Sequence, residues 1–319
     1  TLRNSDIGVV IDSNRNSLVE RVQAISNRIG VYAFNVSQPI IRNSRFVHNS
    51  EGGVEVQNSR SNQIYNNTFY GNQQWAMQVS SSSVANLLVN NIFVMSSTGS
   101  VAYAGVLNDA FVDYNVYQLL TANAGIQGNQ RDLLGWQLAT KRDYRSAITN
   151  PLFASVGSGD FHLQSEQGRW VDGQGFTNDA VTSWAVDKGS TNLNYDLEPA
   201  PNGARVNIGA YGNTEYASMG RLSTQALVEV RSLNATTFIR ETNSVWPLVW
   251  TSINVPTSEL FNVQFSGDGG SSWYTLSNNV PAYQEYILWN ASPFFNTRRG
   301  YWRVVGISNT NYVDVNDAQ

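Results

Sequence analysis

The chain has 319 residues, a net charge of −4 and only 14% charged residues, ample for two domains and a large core. It has no Cys, which excludes a disulfide framework and a thiolate metal site, while the absence of a Lys/Arg run and the presence of only two lysines, Lys141 and Lys188, argue against a nucleic-acid partner. The weak acidity also argues against an anionic-membrane partner, and no transmembrane run is present.

From Gly8 to about residue 118 the chain repeats. Three rows stand out: GVYAFNVSQPIIRNSRFVHNSE from Gly30, GVEVQNSRSNQIYNNTFYGNQQW from Gly53, and AMQVSSSSVANLLVNNIFVMSS from Ala76. Phe46, Phe69 and Phe93 share one column, 23 and 24 residues apart, and Asn43-Ser44, Asn66-Asn67 and Asn90-Asn91 precede them. A weaker row starts at Gly8, and FVDYNVY continues the pattern with Tyr117 in the Phe column. A period in this range means stacked units, none of which can bury its own apolar face. Short alternating runs broken by Asn, Ser and Gly predict strands and turns. A coil of such strands is a parallel β-helix, with coils about 4.8 Å apart and a short rod of roughly 20–25 Å.

Alternation along the strands points Val9/Ile11, Val31/Ala33, Val54/Val56 and Met77/Val79 inward. It leaves Val10, Tyr32, Glu55 and Gln78 in one outward column and Asp12, Phe34, Gln57 and Ser80 in another. The Phe column is expected to stack inside, and Asn67, Asn91 and Asn115 to form an amide ladder at a corner.

These rows resemble the right-handed parallel β-helix repeat proteins, whose coils carry the same N-N-x-F signature. The resemblance implies an all-β fold over 1–220. Residues 132–142, with Leu133, Leu134, Trp136, Leu138 and Ala139, predict a short amphipathic helix over the flank or end of the coils. Beyond it, NPLFASVGSGDFHLQS, Val186-Asp187-Lys188-Gly189 and Val206-Asn207-Ile208-Gly209-Ala210-Tyr211-Gly212 resemble the terminal part of many secreted bacterial β-helix proteins, which closes the last coils. That similarity spans roughly 130–218. It departs at Asn207, usually Asp in the family, and in the insertion QGRWVDGQGFTNDAVTSWA.

Residues 223–319 give short alternating runs at close spacing, which predicts a small antiparallel β-sandwich. Ser266–Trp273 predicts a hairpin turn with positive-φ residues. The stretch is similar to immunoglobulin-like or fibronectin-like modules of bacterial surface proteins. Because the chain opens inside a coil and stops as a strand should be finishing at Val315–Gln319, the natural protein is expected to extend at both ends.

Polysaccharide lyases and hydrolases are prominent among proteins of this resemblance. A lyase needs a base, a neutraliser of the uronate carboxylate and often Ca²⁺ on clustered carboxylates. The strand faces offer Glu55 and Asp12, with no acidic cluster and no lysine in the coils. Arg21, Arg42 and Arg45, with Glu20 and His48 near, are either a basic cleft for an acidic sugar or solvated corner residues. Glu20, Glu51, Glu55 and Asp113 are spread singly, unlike the paired carboxylates of a glycoside hydrolase.

The carbohydrate-binding candidates are Tyr32, Phe34, Glu55, Gln57, Tyr65 and Tyr70, with Trp75 nearby. Their rings could stack on sugars, or be covered by the helix or the long insertion. Asp172, Asp179, Asp187, Asp196 and Glu198 could hold a structural Ca²⁺, or serve as turn formers; otherwise no cofactor is expected. His162 reads as an isolated strand residue. The expected role is an extracellular, cell-surface or assembly-forming structural or adhesive protein without a catalytic site in this stretch. Its partners would be itself or other surface proteins, by coil stacking and sandwich contacts, or a polysaccharide. The alternatives are a polyuronate lyase or a non-catalytic carbohydrate-binding β-helix.

Overall fold

The computed structural model describes residues 1–107, 109–221, 226–234, 245–291, 297 and 299–317. They fall into two units, Thr1–Leu222 and Ser223–Gln319. The expected start of the second domain, Ser223, and the chain's last two residues lie outside the described residues.

The first unit is a parallel β-helix built from three sheets. Strands Ile7–Asp12, Ile29–Phe34, Gly52–Gln57, Trp75–Val79, Val101–Gly105 and Gly125–Gln127 stack into a six-stranded sheet. A five-stranded sheet runs from Leu18–Glu20 to Ala110–Asp113, and a seven-stranded one from Leu2–Arg3 to Ala147–Ile148. Coil-to-coil registers are parallel, with Phe46, Phe69, Phe93 and Tyr117 as consecutive partners.

The N-N-x-F signature has a division of labour. Asn43, Asn66 and Asn90 take positive φ (49°, 51° and 56°) and turn the corner, a conformation that Asn tolerates better than other side-chain-bearing residues. The next residue points inward to the corner ladder. Asn67 donates from Nδ2 to Asn91 Oδ1 at 3.1 Å and to the Ile41 carbonyl at 2.8 Å. Asn91 does the same toward Asn115 and Ile64. Two residues on, the Phe enters the core, where Phe46–Phe69, Phe69–Phe93 and Phe93–Tyr117 stack at 5.0, 5.1 and 5.4 Å. A second ladder, Asn27–Asn49–Asn72, occupies another corner. Room for the rings comes from Gly30 and Gly53: a Cβ on Gly53 would sit 2.5 Å from the Phe69 ring and 2.7 Å from the Ala76 carbonyl.

The ladder ends on a carboxylate. Asn115 donates to Asp143, whose oxygens also accept from Tyr117 Oη at 3.0 Å and Trp136 Nε1 at 2.8 Å. Trp136 belongs to the helix Leu133–Thr140, capped by Asp132 and lying over the final coil. Its indole stacks on Tyr103 and joins the core with Leu133. The helix therefore covers the end of the coils, not their flank. Ala139, expected on its apolar side, is exposed, and Gln137 is buried instead because its amide donates to the Asp143 carbonyl.

Residues 150–220 correct the expectation that this segment closes the last coils. It runs back along the outer face of the seven-stranded sheet, toward the first coils. Ser190 and Gly209 bond to Asn90, Ala210 to Thr68, and Ala210 and Gly212 accept from Asn43. Arg21 pairs with Glu215. The physical reason is that this face presents Ile92, Val94 and Val116 outward; Leu163, Ala185, Val186 and Ile208 bury them.

The second unit is a small antiparallel sandwich. Leu227–Val230, Val245–Ile253 and Tyr286–Asn290 form a three-stranded sheet. Leu260–Ser266, Tyr274–Pro281, Tyr301–Gly306 and Val313–Val315 form a four-stranded one. Alternate residues, among them Trp250, Phe261, Val263 and Trp302, fill the core between them. Asp268 fixes the predicted turn by accepting from the Ser272 amide, the Ser272 hydroxyl and the Ser266 hydroxyl, which hold its carboxyl down at about 2.

Candidate functional site

The outer face of the six-stranded sheet bears the two predicted outward columns. Val10, Tyr32, Glu55 and Gln78 are successive strand partners, as are Asp12, Phe34 and Gln57. Tyr32 and Phe34 are two residues apart on one strand, so their side chains leave the same face. Their rings lie 6.2 Å apart with an interplanar angle of 7°, two parallel plates, each part-exposed. Gln57 sits above Phe34 and braces the pair. Its Nε2 donates to Glu55 Oε1 at 2.5 Å, and its Oε1 accepts from the Tyr32 hydroxyl at 3.3 Å. Glu55, outward yet only 8% exposed, is packed among these neighbours. Partial burial and the nearby Glu55 and Asp12 carboxylates raise the Tyr32 phenol above its usual pKa. At the edge of the face the Asn58 amide donates to Asn35. The result is an aromatic platform rimmed by amides and carboxylates, the chemistry that stacks on the C–H faces of a sugar and accepts from its hydroxyls.

Of the six candidates, four (Tyr32, Phe34, Glu55, Gln57) are brought together there. Tyr65 lies on the five-stranded sheet, its hydroxyl accepting from Arg42 at 3.1 Å. Tyr70 lies on the seven-stranded sheet, where Phe153 and Phe161 pack edge-on against it at 6.5 and 5.4 Å. Tyr70 is thus part-buried under the segment that packs on that flank and stands on a different sheet from Tyr32 and Phe34. Trp75, which begins a strand, is also buried.

The arginines do not converge into a basic cleft. Arg42 pairs with Glu20 at 2.8 Å, Arg21 with Glu215 at 3.2 Å, and Arg45 reaches the Tyr211 hydroxyl at 2.7 Å. They stand on different faces or turns, each with its own partner.

One cluster escapes sequence reading. His162 is not isolated: Asp160 Oδ1 lies 2.7 Å from its Nδ1, and its ring stacks on Tyr211 at 3.6 Å. Arg169 joins Asp160 to Asp179, and Arg45 caps the Tyr211 hydroxyl. Burial pushes Tyr211 up to about 12. An acid, an imidazole, a phenol and a guanidinium side by side could move protons, but the cavity beside Tyr211 is about 10 Å³, space for a single water and no sugar. The cluster fastens the covering segment to the coils. The two-residue spacing of Asp160 and His162 on one strand was a readable signal; Tyr211, 49 residues on, was not.

Among the described residues no three acids or histidines form a metal-ligating group. Asp179 serves Arg169, and Asp172 accepts from Trp170 Nε1 at 2.9 Å. Asp187 and Glu198 are buried, and burial raises them to about 7 and about 8. Glu198 Oε1 accepts from the Asn207 and Asn213 amides, and Asn207 Oδ1 accepts from the Asp187 amide. Asn207, where the resemblance calls for Asp, thus links the two acids without adding a third charge.

Residues 1–105 match the family model described as "Right handed beta helix region". The matched third of the chain includes Tyr32, Phe34, Glu55 and Gln57, and to that extent the chain is similar to right-handed β-helix repeat proteins. No curated protein matches the chain.

Proposed function

We propose that this is an extracellular adhesive β-helix that holds a polysaccharide on the outer face of its six-stranded sheet without cleaving it. The observation that carries this reading is the Tyr32–Phe34 pair, two parallel part-exposed rings braced by Gln57 and Glu55. Flat rings on a rigid sheet bind sugars with little ordering cost, because the platform is set before the ligand arrives. Residues 150–220 cover the seven-stranded sheet and not this one. In this reading the sandwich is a spacer of immunoglobulin-like or fibronectin-like kind. The test is retention of the whole chain on a panel of insoluble polysaccharides, with the Tyr32→Ala/Phe34→Ala variant as control. Retention lost in the variant supports the reading. Release of unsaturated uronate product, seen by its ultraviolet absorbance, would replace it with a lyase.

A second reading rests on a separate observation. Leu2–Arg3, Ile7–Asp12 and Leu18–Glu20 each have a sheet partner on one side only, and Val10 and Leu18 are 57% and 53% exposed. Parallel edges with one partner are templates for another β-coil, whether that coil comes from further N-terminal residues of the same chain, from a second copy or from another surface protein. Sedimentation velocity over a range of concentrations tests it: an unchanging monomer rules out the self-stacking form.

A further inference from the structure

Resting on the binding reading above, we infer that the Tyr32–Phe34 face takes a neutral polysaccharide and rejects polyuronates. The charges of the face decide this. Asp12 lies one coil below Phe34, and Glu55 one coil above Tyr32. Both acids flank the rings, and no Lys or Arg occupies either outward column.

The cations nearest to this sheet are already committed or displaced. Arg28, at the start of its strand, is held by Asp6 at 2.6 Å and Glu51 at 2.7 Å. Arg60 lies past the far corner with its Nε on the Ser37 hydroxyl, and Arg15 is in the same corner column, two coils away. A chain of uronates laid across the rings would therefore bring its carboxylates against Asp12 and Glu55 with no opposing charge between. A neutral pyranose suits the same groups. Its C–H face covers a ring, and its hydroxyls donate to Asp12 Oδ2, an exposed oxygen with no bonded partner among the described residues, since Asp12 accepts from the Ser13 hydroxyl through Oδ1. The Gln78 amide, next in the column, adds a donor.

The experiment uses the full 319-residue chain on insoluble cellulose and mannan, and on a polygalacturonate gel with and without added Ca²⁺. The expected result is retention on at least one neutral matrix and none on polygalacturonate. That retention should persist from about 0.05 to 0.5 M salt, because screened charges do not carry it. Tyr32→Ala/Phe34→Ala should weaken it by about tenfold or more, with unchanged thermal melting. Polygalacturonate retention that depends on Tyr32 and Phe34, with or without Ca²⁺, would overturn the inference and leave the binding reading intact. No retention anywhere, or retention indifferent to the double substitution, would sink the binding reading itself.

Discussion

Asn67 hands both its backbone N–H and its side-chain amide to a single atom, Asn91 Oδ1, each at 3.1 Å. Asn91 in turn donates from Nδ2 to the Ile64 and Val89 carbonyls. All of these groups are buried, so removing the Asn91 side chain takes the partner of the Asn67 backbone N–H and one partner each from Asn67 Nδ2 and the Ile64 and Val89 carbonyls. Each such group costs about 1–3 kcal/mol. Asn91→Ala should therefore destabilise the β-helix by about 3 kcal/mol or more in urea unfolding, whereas the exposed Asn14→Ala should cost under about 0.5 kcal/mol. Equal effects would show that the ladder is ornamental.

Gly53 gives a steric counterpart. Its backbone runs where the Phe69 ring and the Ala76 carbonyl leave no space for a Cβ. Gly53→Ala, normally a mild change, should cost about 1–3 kcal/mol by overpacking. Pairing it with Phe69→Leu should recover part of the loss, because the two positions share the space. Simple additivity in the thermal melts of the four proteins would count against this packing account.

The parts of this fold that repeat were legible, and the parts that depend on one long-range contact were not. Phe46, Phe69 and Phe93 announce the core because they recur at one period, and the Asn before each ladder residue announces the corner. The Asn27–Asn49–Asn72 ladder is as regular, but its corner residues are Ser26, His48 and Gly71, all at positive φ, so no dipeptide marks it. Strand alternation was enough to place Tyr32 and Phe34 together outside. Tyr70 obeys the same alternation yet is partly covered, since Phe161 arrives from 91 residues further along the chain. The covering segment recognises its flank by contacts such as Ser190 to Asn90, for which no local pattern exists.

Three buried carboxylic acids set an unusual pH dependence. Burial raises Asp143, Asp187 and Glu198 to about 6, 7 and 8, above their ordinary values of 3.8, 3.8 and 4.5. With the folded pKa above the unfolded one, the folded state binds the proton more tightly. Their stabilising contribution is full below the unfolded values and is lost as pH rises through about 6 to 8. Asp160 acts oppositely: burial pushes it up, but His162 and Arg169 hold it below its usual value, so its contribution disappears in stronger acid. The β-helix should melt highest near pH 5 and lose at least about 5 °C by pH 8. Asp187→Asn/Glu198→Gln should flatten that slope. A melting temperature that climbs from pH 5 to 8 would contradict the burial argument.

The Tyr211 hydroxyl accepts from Arg45 at 2.7 Å while its ring lies on His162, so one side chain ties the covering segment to the coil carrying Phe46. Tyr211→Phe keeps the ring stack and removes the acceptor, leaving the Arg45 guanidinium with the Gly159 carbonyl at 3.3 Å. A hydrogen bond to a charged group is worth about 1.5–3 kcal/mol. Amide exchange over residues 207–215 should accelerate by about tenfold or more in Tyr211→Phe, with exchange in the Phe46, Phe69 and Phe93 strands unchanged. Acceleration spread evenly over segment and coils would mean that the two open as one body and that the Arg45–Tyr211 contact is not what holds the segment down. Exchange confined to 207–215 would identify it as a local latch, and because that segment lies on the seven-stranded sheet, sugar retention by Tyr32 and Phe34 should survive the substitution.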